Sequence, residues 1–282
     1  MASLTLNRLR EPSVIPGFGI SLGLTLTALA LIVLLPVGAL VLRAASIGPA
    51  EFWSIATDPR VLAALRLSFG AALIASCINA FFGLLLAWVL VRYRFPGRRI
   101  IDAAVDLPFA LPTAVAGIAM TAVYAPNGII GSVADALQIK IAFTPVGIVI
   151  ALVFVGLPFV VRTVQPILAE VEKEIEEAAA LLGSSRIRTV LQVILPHVYP
   201  AMITGFAMAF ARGVGEYGSV IFIAGNIPMV SEIAPLLIVI KLEEFDYGGA
   251  TVVATVMLAI SFILLFLINR VQTWSRRSLG NV

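Results

Sequence analysis

Two opposite charges lie four residues apart within an otherwise apolar stretch, FARGVGEYGSVIFIAGN, at residues 210–226. If this stretch is helical, Arg212 and Glu216 share one face at a separation of about 6 Å. Ionisable groups inside a membrane span are rare, and they mark ion pairs, substrate paths or proton relays. The spacing leaves three interpretations open: a self-neutralising pair packed against another span, a gate beside a substrate path, or a proton relay.

Other reactive groups are scarce in this chain. It has one histidine, His197, and one cysteine, Cys77, which argues against histidine-rich metal sites and rules out a disulfide within the chain. An intramembrane enzyme would need a serine motif, paired aspartates or H-E-x-x-H, and we expect no enzyme of these kinds. The sequence contains no G-x-x-x-x-G-K-[ST] phosphate loop, so we expect any ATP to be hydrolysed by another subunit.

A charged and sharply punctuated segment, EVEKEIEEAAALLGSSRIRTVLQVILP, occupies residues 170–196. Good helix formers fill its first half, and Gly183 follows them as a residue that accepts the left-handed conformation past a helix end. Ser184 and Ser185 are candidate N-caps for a second helix, RIRTVLQVI, which we expect Pro196 to close. The segment predicts a helix, a glycine turn and a second helix, although a plain solvated loop has a similar charge pattern.

The composition places most of the chain in lipid. Of its 282 residues, 60% are hydrophobic and 12% are charged, with a mean hydropathy of +1.06. A bilayer core of about 30 Å needs about 20 apolar helical residues. Six stretches meet this requirement, which predicts an all-α membrane protein with six transmembrane helices. They are roughly 18–42, 62–91, 102–125, 146–168, 198–224 and 249–269.

Prolines and basic residues refine this topology. Pro36, Pro108, Pro112 and Pro158 lie inside the predicted spans, where each removes a backbone donor and favours kinked helices. With the N-terminus in the cytoplasm, thirteen Lys and Arg residues fall inside and five fall outside. The positive-inside rule therefore predicts that both termini are cytoplasmic.

The loops and one small-residue stripe add further expectations. The outer loop at 43–61 contains EFWSIA, a predicted interfacial helix, and the outer loop at 225–248 contains PLLIVIKL, too short to span. We expect the latter loop to touch a periplasmic partner through its polar residues, Asn226, Glu232, Glu243, Glu244 and Asp246. Small residues in the fifth span predict close helix contact, either within the chain or between two chains. They are Ala201, Gly205, Ala209 and Gly213, with Ala207, Ala211 and Gly215 beside them.

The charged segment carries a family resemblance. Glu177-Ala178-Ala179, three residues, Gly183, nine residues and then Val193-Ile194-Leu195-Pro196 resembles the EAA loop of type I ABC-importer permeases. The family pattern is E-A-A, three, G, nine, I-x-L-P, so the one departure is Val193 in place of isoleucine. The resemblance covers seven specified positions within twenty residues, in the cytoplasmic loop before the penultimate predicted span.

The resemblance implies a mechanical role for this loop. It implies a coupling helix seated in a cleft of a separate ATPase subunit, with the exposed small residues at the contact. Glu177, Ala178, Ala179 and Gly183 would dock the ATPase, and Leu195 and Pro196 would fix the path into the fifth span. It also implies a layout of residues 1–60 as N-terminus, first transmembrane helix and outer loop. After these would come a type-1 transmembrane core at 61–271, which contains the coupling loop at 169–197. The last segment would be a cytoplasmic tail at 272–282.

A narrower resemblance concerns the cargo. GEYGSVIFIAGN (215–226), SEIAPLLI (231–238), EEFDY (243–247) and DLPFALPTAVAGIAM (106–120) are similar to T-type subunits of bacterial sulfate/thiosulfate importers. This implies an inner-membrane permease with two ATP-binding subunits, a second permease of the W type and a periplasmic sulfate/thiosulfate-binding protein. The partner ATPase would use ATP and Mg, while this chain would bind lipid but no cofactor, metal or nucleic acid. The implied pathway or gate candidates are Arg212, Gly215, Glu216, Tyr217, Gly218 and Ser219.

Several alternatives remain open from the sequence. A permease for molybdate or another oxyanion shares the G-E-[FY]-G pattern, and the permease pair is either a heterodimer or a homodimer. A proton-coupled secondary transporter would use Arg212 and Glu216 but would leave the helix–glycine–helix segment without a role. A purely structural membrane subunit is a further alternative.

Overall fold

The computed structural model describes residues 18–171 and 173–279, all in helices and the turns that join them, with no strand among these residues. The chain forms two compact units, residues 1–49 and 50–282. The described part of the first unit is essentially one long helix, α1 (Phe18–Ser46). One wide π turn, Ala30–Leu34, precedes Pro36 within it and lets the helix continue past the proline.

The second unit contains the remaining helices. They are α2 (Pro49–Ala56), α3 (Pro59–Arg92), α4 (Arg98–Val105), α5 (Leu107–Ala110), α6 (Thr113–Tyr124), α7 (Ile129–Ala136), α8 (Pro145–Glu170), α9 (Lys173–Leu181), α10 (Arg186–Val214), α11 (Val220–Ile223), α12 (Ala234–Glu243) and α13 (Tyr247–Leu279).

Helix length and hydropathy confirm the membrane architecture. The helices α1, α3, α8, α10 and α13 are each long and apolar enough to cross a bilayer. Counting α6 and α7 as one span, bent by 42°, gives six. The chain is therefore an all-α, multi-pass membrane protein. Of the outer-loop predictions, EFWSIA forms α2 and PLLIVIKL forms most of α12, a helix of ten residues.

The third predicted span, 102–125, is wrong as a continuous helix. The chain breaks it into α4, α5 and α6, and each of the later breaks falls at the residue before a proline. Leu111 precedes Pro112 and Ala125 precedes Pro126, and both residues have extended backbone with ψ of 136° and 156°. A proline clashes with a helical residue before it, so the helix stops there.

The prolines of the fourth and fifth spans have a different effect. Pro158 and Pro166 lie inside the continuous helix α8. The expectation that Pro196 closes a separate second helix is wrong, because α10 runs on through it. A π turn at Val190–Ile194 precedes this proline, and the Leu195 N–H donates to the Val190 carbonyl. The wider turn accommodates the proline ring, so the loop helix and the fifth span form one rod.

The core of the second unit lies where α3, α8 and α10 meet. A Cβ at Gly205 of α10 would lie 2.8 Å from the Val160 Cα of α8, so only glycine allows this approach. Ala209 is buried, and a Cβ at Gly213 would lie 3.4 Å from the Ala72 Cβ of α3. Gly205, Ala209 and Gly213 therefore pack within the chain, whereas Ala211 and Gly215 beside them are exposed.

The sequence GISLG, at Gly19 to Gly23, does satisfy the serine-nucleophile pattern G-x-S-x-G. That pattern works in a sharp strand-to-helix turn that exposes the serine. Here it lies inside the continuous helix α1, so the turn that such a nucleophile needs is missing. The pattern match carries no enzymatic function.

Candidate functional site

The helix–glycine–helix prediction for the charged segment is confirmed. Helix α9 ends at Leu181, and Gly183 has the left-handed φ of +80° that the turn requires. The Ser184 N–H donates to the Ala179 carbonyl at 3.0 Å, which closes the turn. Ser185 then caps α10, its hydroxyl accepting from the Arg188 N–H at 3.4 Å. From here on the name coupling loop refers to residues 173–189, the part of the predicted loop 169–197 that contains α9, the glycine turn and the first turn of α10.

The surface of the coupling loop is more apolar than the sequence reading suggested. Ala178 is exposed and Ala179 is half-buried, as expected for small residues at a contact, and Glu177 is exposed beside them. The larger apolar surface comes from Leu181, 90% exposed, and Leu182, 88% exposed. Two adjacent leucines exposed in an aqueous loop indicate a surface that a partner covers. The alanine spacing of the family pattern does not include these two leucines.

Arg92 anchors the coupling loop to the inner end of α3. Its guanidinium forms an ion pair with Glu176, at 2.6 Å from one carboxylate oxygen. It also donates a hydrogen bond to the Val171 carbonyl at 3.2 Å. It also lies 5.9 Å from the Trp88 ring centroid, a cation–π contact. From the sequence, Arg92 is one of the thirteen basic residues predicted to lie in the cytoplasm. Its partner Glu176 could not be predicted, because it lies 84 positions away in the chain.

A second arginine connects α8 to the segment that follows α3. Arg162 donates to both carboxylate oxygens of Asp106, at 2.8 and 2.6 Å, and to Asp102 at 2.7 Å. The hydrogen bond from Arg162 is the main reason why the pKa of Asp102 lies below its usual value; Gln165 and the charge of Arg98 act in the same direction, against burial. This cluster fixes α4 and α8 together at their cytoplasmic ends.

Leu195 and Pro196 lie in α10 directly after the π turn. Both are half-buried, and Ile194 before them is buried in the core shared with α3 and α8. Their position suits the expected role of fixing the path from the coupling loop into the fifth span.

The structure brings the polar pair of the fifth span together in a turn. The predicted span 198–224 ends early, since α10 stops at Val214 and Gly215 follows it. Arg212 and Glu216 form an ion pair at 2.5 Å. The other oxygen of Glu216 accepts from the Ser219 N–H at 2.9 Å and from its hydroxyl at 2.8 Å. Glu216 is buried, and each of these contacts is with a donor group.

This polar turn, residues 215–219, sits directly on α6. A Cβ at Gly218 would clash with the Thr113 hydroxyl oxygen, well inside van der Waals contact. A Cβ at Gly117 of α6 would likewise overlap the Ser219 carbonyl oxygen. Both glycines are therefore required for the contact. The six pathway candidates therefore form one cluster. Glu216 and Ser219 lie on its buried side, Gly215 lies on its exposed side, and Tyr217 is half-buried.

Space beside Glu216 is small. The cavity that Glu216 shares with Ser68, Leu152 and Val220 measures about 10 Å³, roughly one water molecule by the same measure. No anion of sulfate size fits in this cavity.

The outer loop contradicts one expectation. Glu232 is buried rather than turned to the periplasm, and Arg60 at the start of α3 grips both its carboxylate oxygens at 2.8 and 2.7 Å. Lys241 pairs with Asp246 at 2.9 Å and, with the Gly249 N–H, lowers the pKa of that carboxyl. Glu243 and Glu244 remain exposed and available to a partner.

Comparison with known families settles the class of protein. A family model described as "Binding-protein-dependent transport system inner membrane component" matches residues 79–280. The chain belongs to this family. It is an ABC-importer permease of the EAA-loop type, a transport subunit rather than an enzyme, and the resemblance drawn from the coupling loop is confirmed.

The most similar relatives cover nearly the whole permease. The "Sulfate transport system permease protein CysT" of Salmonella typhimurium is 48% identical, over 95% of this chain and 97% of the relative. The protein of the same name from Escherichia coli gives the same identity and coverage. The "Probable sulfate transport system permease protein cysT" of Nephroselmis olivacea is 52% identical over 91% of this chain and 90% of its own length.

Solved structures agree on the fold. A bacterial ABC transporter involved in the import of the acidic polysaccharide alginate matches with a TM-score of 0.75, over 93% of this chain and 96% of that chain. The bacterial alginate transporter in complex with a pentasaccharide-bound periplasmic protein matches equally well, over 94% of that chain. Sequence identity is 14% in both cases, so these likenesses concern the permease fold alone.

Proposed function

We propose that this permease is the T-type subunit of a sulfate/thiosulfate importer in the bacterial inner membrane. The observation that carries this is the 48% identity to the sulfate permease of Salmonella typhimurium along 95% of the chain. Its partners would be two ATP-binding subunits, a second permease of the W type and a periplasmic sulfate/thiosulfate-binding protein.

In this proposal the coupling loop receives the force of ATP hydrolysis. Leu181 and Leu182, with Ala178 and Ala179, form the surface that enters the ATPase cleft, and Glu177 lies at its edge. Movement of α9 reaches α3 through the ion pair of Glu176 and Arg92. It reaches the fifth span directly, because α10 continues from the loop without a break.

Cargo charge makes such coupling necessary. Moving a dianion inward against an interior-negative potential of about 100 mV costs about 4.6 kcal/mol, twice the value for a single charge. A tenfold accumulation adds about 1.4 kcal/mol. A passive pore would release sulfate, so the permease must depend on the ATP and Mg bound by its partner subunits.

The polar turn is the candidate gate along the cargo path. Because Glu216 compensates the charge of Arg212, the exposed part of the guanidinium would attract a passing dianion only weakly and would not bind it tightly. Arg212 is only half-buried, which leaves part of its guanidinium accessible. Together with Gly215, Tyr217, Gly218 and Ser219, this pair would line one side of a path formed between two permease chains.

Radiolabelled sulfate uptake tests the proposal. Cells that lack their own sulfate permeases but supply the W-type chain, the ATPase and the binding protein should regain uptake when this permease is expressed. Excess unlabelled thiosulfate should compete, whereas excess molybdate should not. Uptake that molybdate suppresses more strongly than thiosulfate would instead assign the permease to molybdate.

A further inference from the structure

Five arginines gather near the cytoplasmic ends of α3 and α8, and three of them, Arg94, Arg98 and Arg99, take no part in the contacts described above for the coupling loop. Two neighbouring cavities, of about 820 and 650 Å³, open there, and Arg94 and Arg98 line both. Volumes of this order are typical of ligand sites. Arg99 lines the second cavity, and Arg92 and Arg162 line the first. We call this pair of cavities the arginine pocket.

The charge of the arginine pocket is only partly compensated. Glu176 neutralises Arg92, and Asp102 and Asp106 neutralise Arg162. Among residues 18–171 and 173–279, no ion pair involves Arg94, Arg98 or Arg99. The two linings together include two acidic side chains, Glu174 and Asp102, against five arginines. Three cations therefore remain available to an anion in one place.

The position of the pocket selects the kind of anion. Val91 and Arg92 end the apolar run of α3 there, and Pro166 and Ala169 belong to the last turns of α8, so the cavity lies at the membrane–water boundary. Beside the arginines, Phe95 and Ile100 line the second cavity. Ile100 is 74% exposed, on the amphipathic helix α4 whose other residues include Arg98 and Arg99. A free oxyanion would satisfy the arginines but leave this apolar surface uncovered.

We propose that the arginine pocket binds the phosphate of an anionic phospholipid from the cytoplasmic leaflet, with an acyl chain lying over Phe95 and Ile100. Arginine suits this role because its planar fork matches phosphate oxygens. Helices that carry arginines on one face and isoleucines on the other lie in the headgroup region. A bound lipid would brace α4, and through Arg162 the inner end of α8, beside the coupling loop.

Native mass spectrometry of the permease with its ATP-binding subunits tests this proposal. After removal of native lipid, palmitoyl-oleoyl phosphatidylglycerol is titrated, and the corresponding phosphatidylcholine serves as the neutral lipid. Each juxtamembrane arginine contributes about fivefold to the affinity for anionic lipid. We expect Arg94→Gln/Arg98→Gln/Arg99→Gln to lower phosphatidylglycerol retention by more than about tenfold, with little phosphatidylcholine retained by either protein.

A matched variant controls for net charge. Arg43→Gln/Arg66→Gln/Arg270→Gln removes three exposed arginines elsewhere on the chain and should retain phosphatidylglycerol like the wild type. Equal loss in both variants would overturn the pocket as a site. Displacement of the lipid by millimolar inorganic phosphate or sulfate would overturn the lipid assignment in favour of a free oxyanion. Lipid retention by the isolated chain but not by the complex would mean that the ATPase occupies these arginines.

Discussion

Arg92 at the inner end of α3 and Glu176 in the coupling helix lie 2.6 Å apart and join the second span to the loop that precedes the fifth. Arg92 is mostly buried at this point, and it also holds the Val171 carbonyl at the end of α8. One side chain of α3 thus contacts both α9 and the end of α8, and in the proposed mechanism these three helices move together.

Breaking this ion pair should weaken coupling more than folding. We expect Arg92→Glu or Glu176→Arg alone to lower sulfate uptake at least about fivefold, since a partly exposed ion pair contributes about 1 kcal/mol and the reversed charges repel. The exchange Arg92→Glu/Glu176→Arg should restore part of that uptake. ATPase activity and uptake measured on the same vesicles check the prediction. Equal uptake by the exchange and by the single variants would contradict a direct role for the pair.

The exposed leucines of the coupling loop should carry much of the affinity for the ATPase. Interface anchors commonly contribute more than about 2 kcal/mol each, so we expect Leu181→Ala/Leu182→Ala to weaken ATPase binding by more than about tenfold. Two apolar residues outside the coupling loop, Ile129 at the start of α7 and Leu137 just past its end, are similarly exposed and give the control Ile129→Ala/Leu137→Ala. Binding of the ATPase to the immobilised permease, measured by surface plasmon resonance, should be normal for the control. A normal affinity for both variants would place the contact elsewhere.

The polar turn should respond to charge removal in a non-additive way. Glu216→Gln leaves Arg212 without its counter-charge, and loss of one partner of a buried pair commonly costs about 3–5 kcal/mol. We expect a large fall in the amount of monodisperse permease on size-exclusion chromatography. Arg212→Gln/Glu216→Gln should recover much of that amount, because no charge is left uncompensated. If the double variant is as poorly folded as Glu216→Gln, the pair is not self-neutralising.

Steric fit between the polar turn and α6 makes a suppressor prediction. Gly218→Ala places a methyl group on the Thr113 hydroxyl, and overpacking of this kind costs about 1–3 kcal/mol. Thr113→Ala removes the clashing oxygen, so Thr113→Ala/Gly218→Ala should be more thermostable than Gly218→Ala alone. Thermal aggregation in detergent is the measurement. The same melting temperature for the single and double variants would mean that the turn does not rest on Thr113.

Local signals account for what the sequence predicted well. Helix formers, a glycine and two serines in immediate succession specify the coupling loop, and the structure has the turn at Gly183 and the cap at Ser185. The fifth-span boundary failed because hydropathy continues through the short helix Val220–Ile223 beyond the polar turn. An average over about 20 residues does not register a break of five polar or small residues.

Long-range pairs account for most of what the sequence left hidden. Arg92 with Glu176, Arg162 with Asp106, and Arg60 with Glu232 each join residues far apart in the chain. Charge type alone does not choose among many possible partners. The role of Pro196 was also hidden, although the same arrangement, a π turn a few residues before a proline, occurs at Ala30–Leu34 and Pro36 of α1.

A pull-down of the permease from mild detergent, wild type beside Gly183→Asp, tests the central claim most directly. Within the described residues no atom lies within 4 Å of a Cβ added at Gly183, so aspartate causes no clash at its Cβ, but it strains the left-handed turn and adds a charge to the docking surface. Gly48→Asp, at an exposed outer position, is the control. We predict that an ATP-binding subunit copurifies with wild type and control and is lost with Gly183→Asp, while membrane levels stay equal. Equal recovery of the ATPase with all three proteins would contradict a coupling function for this loop.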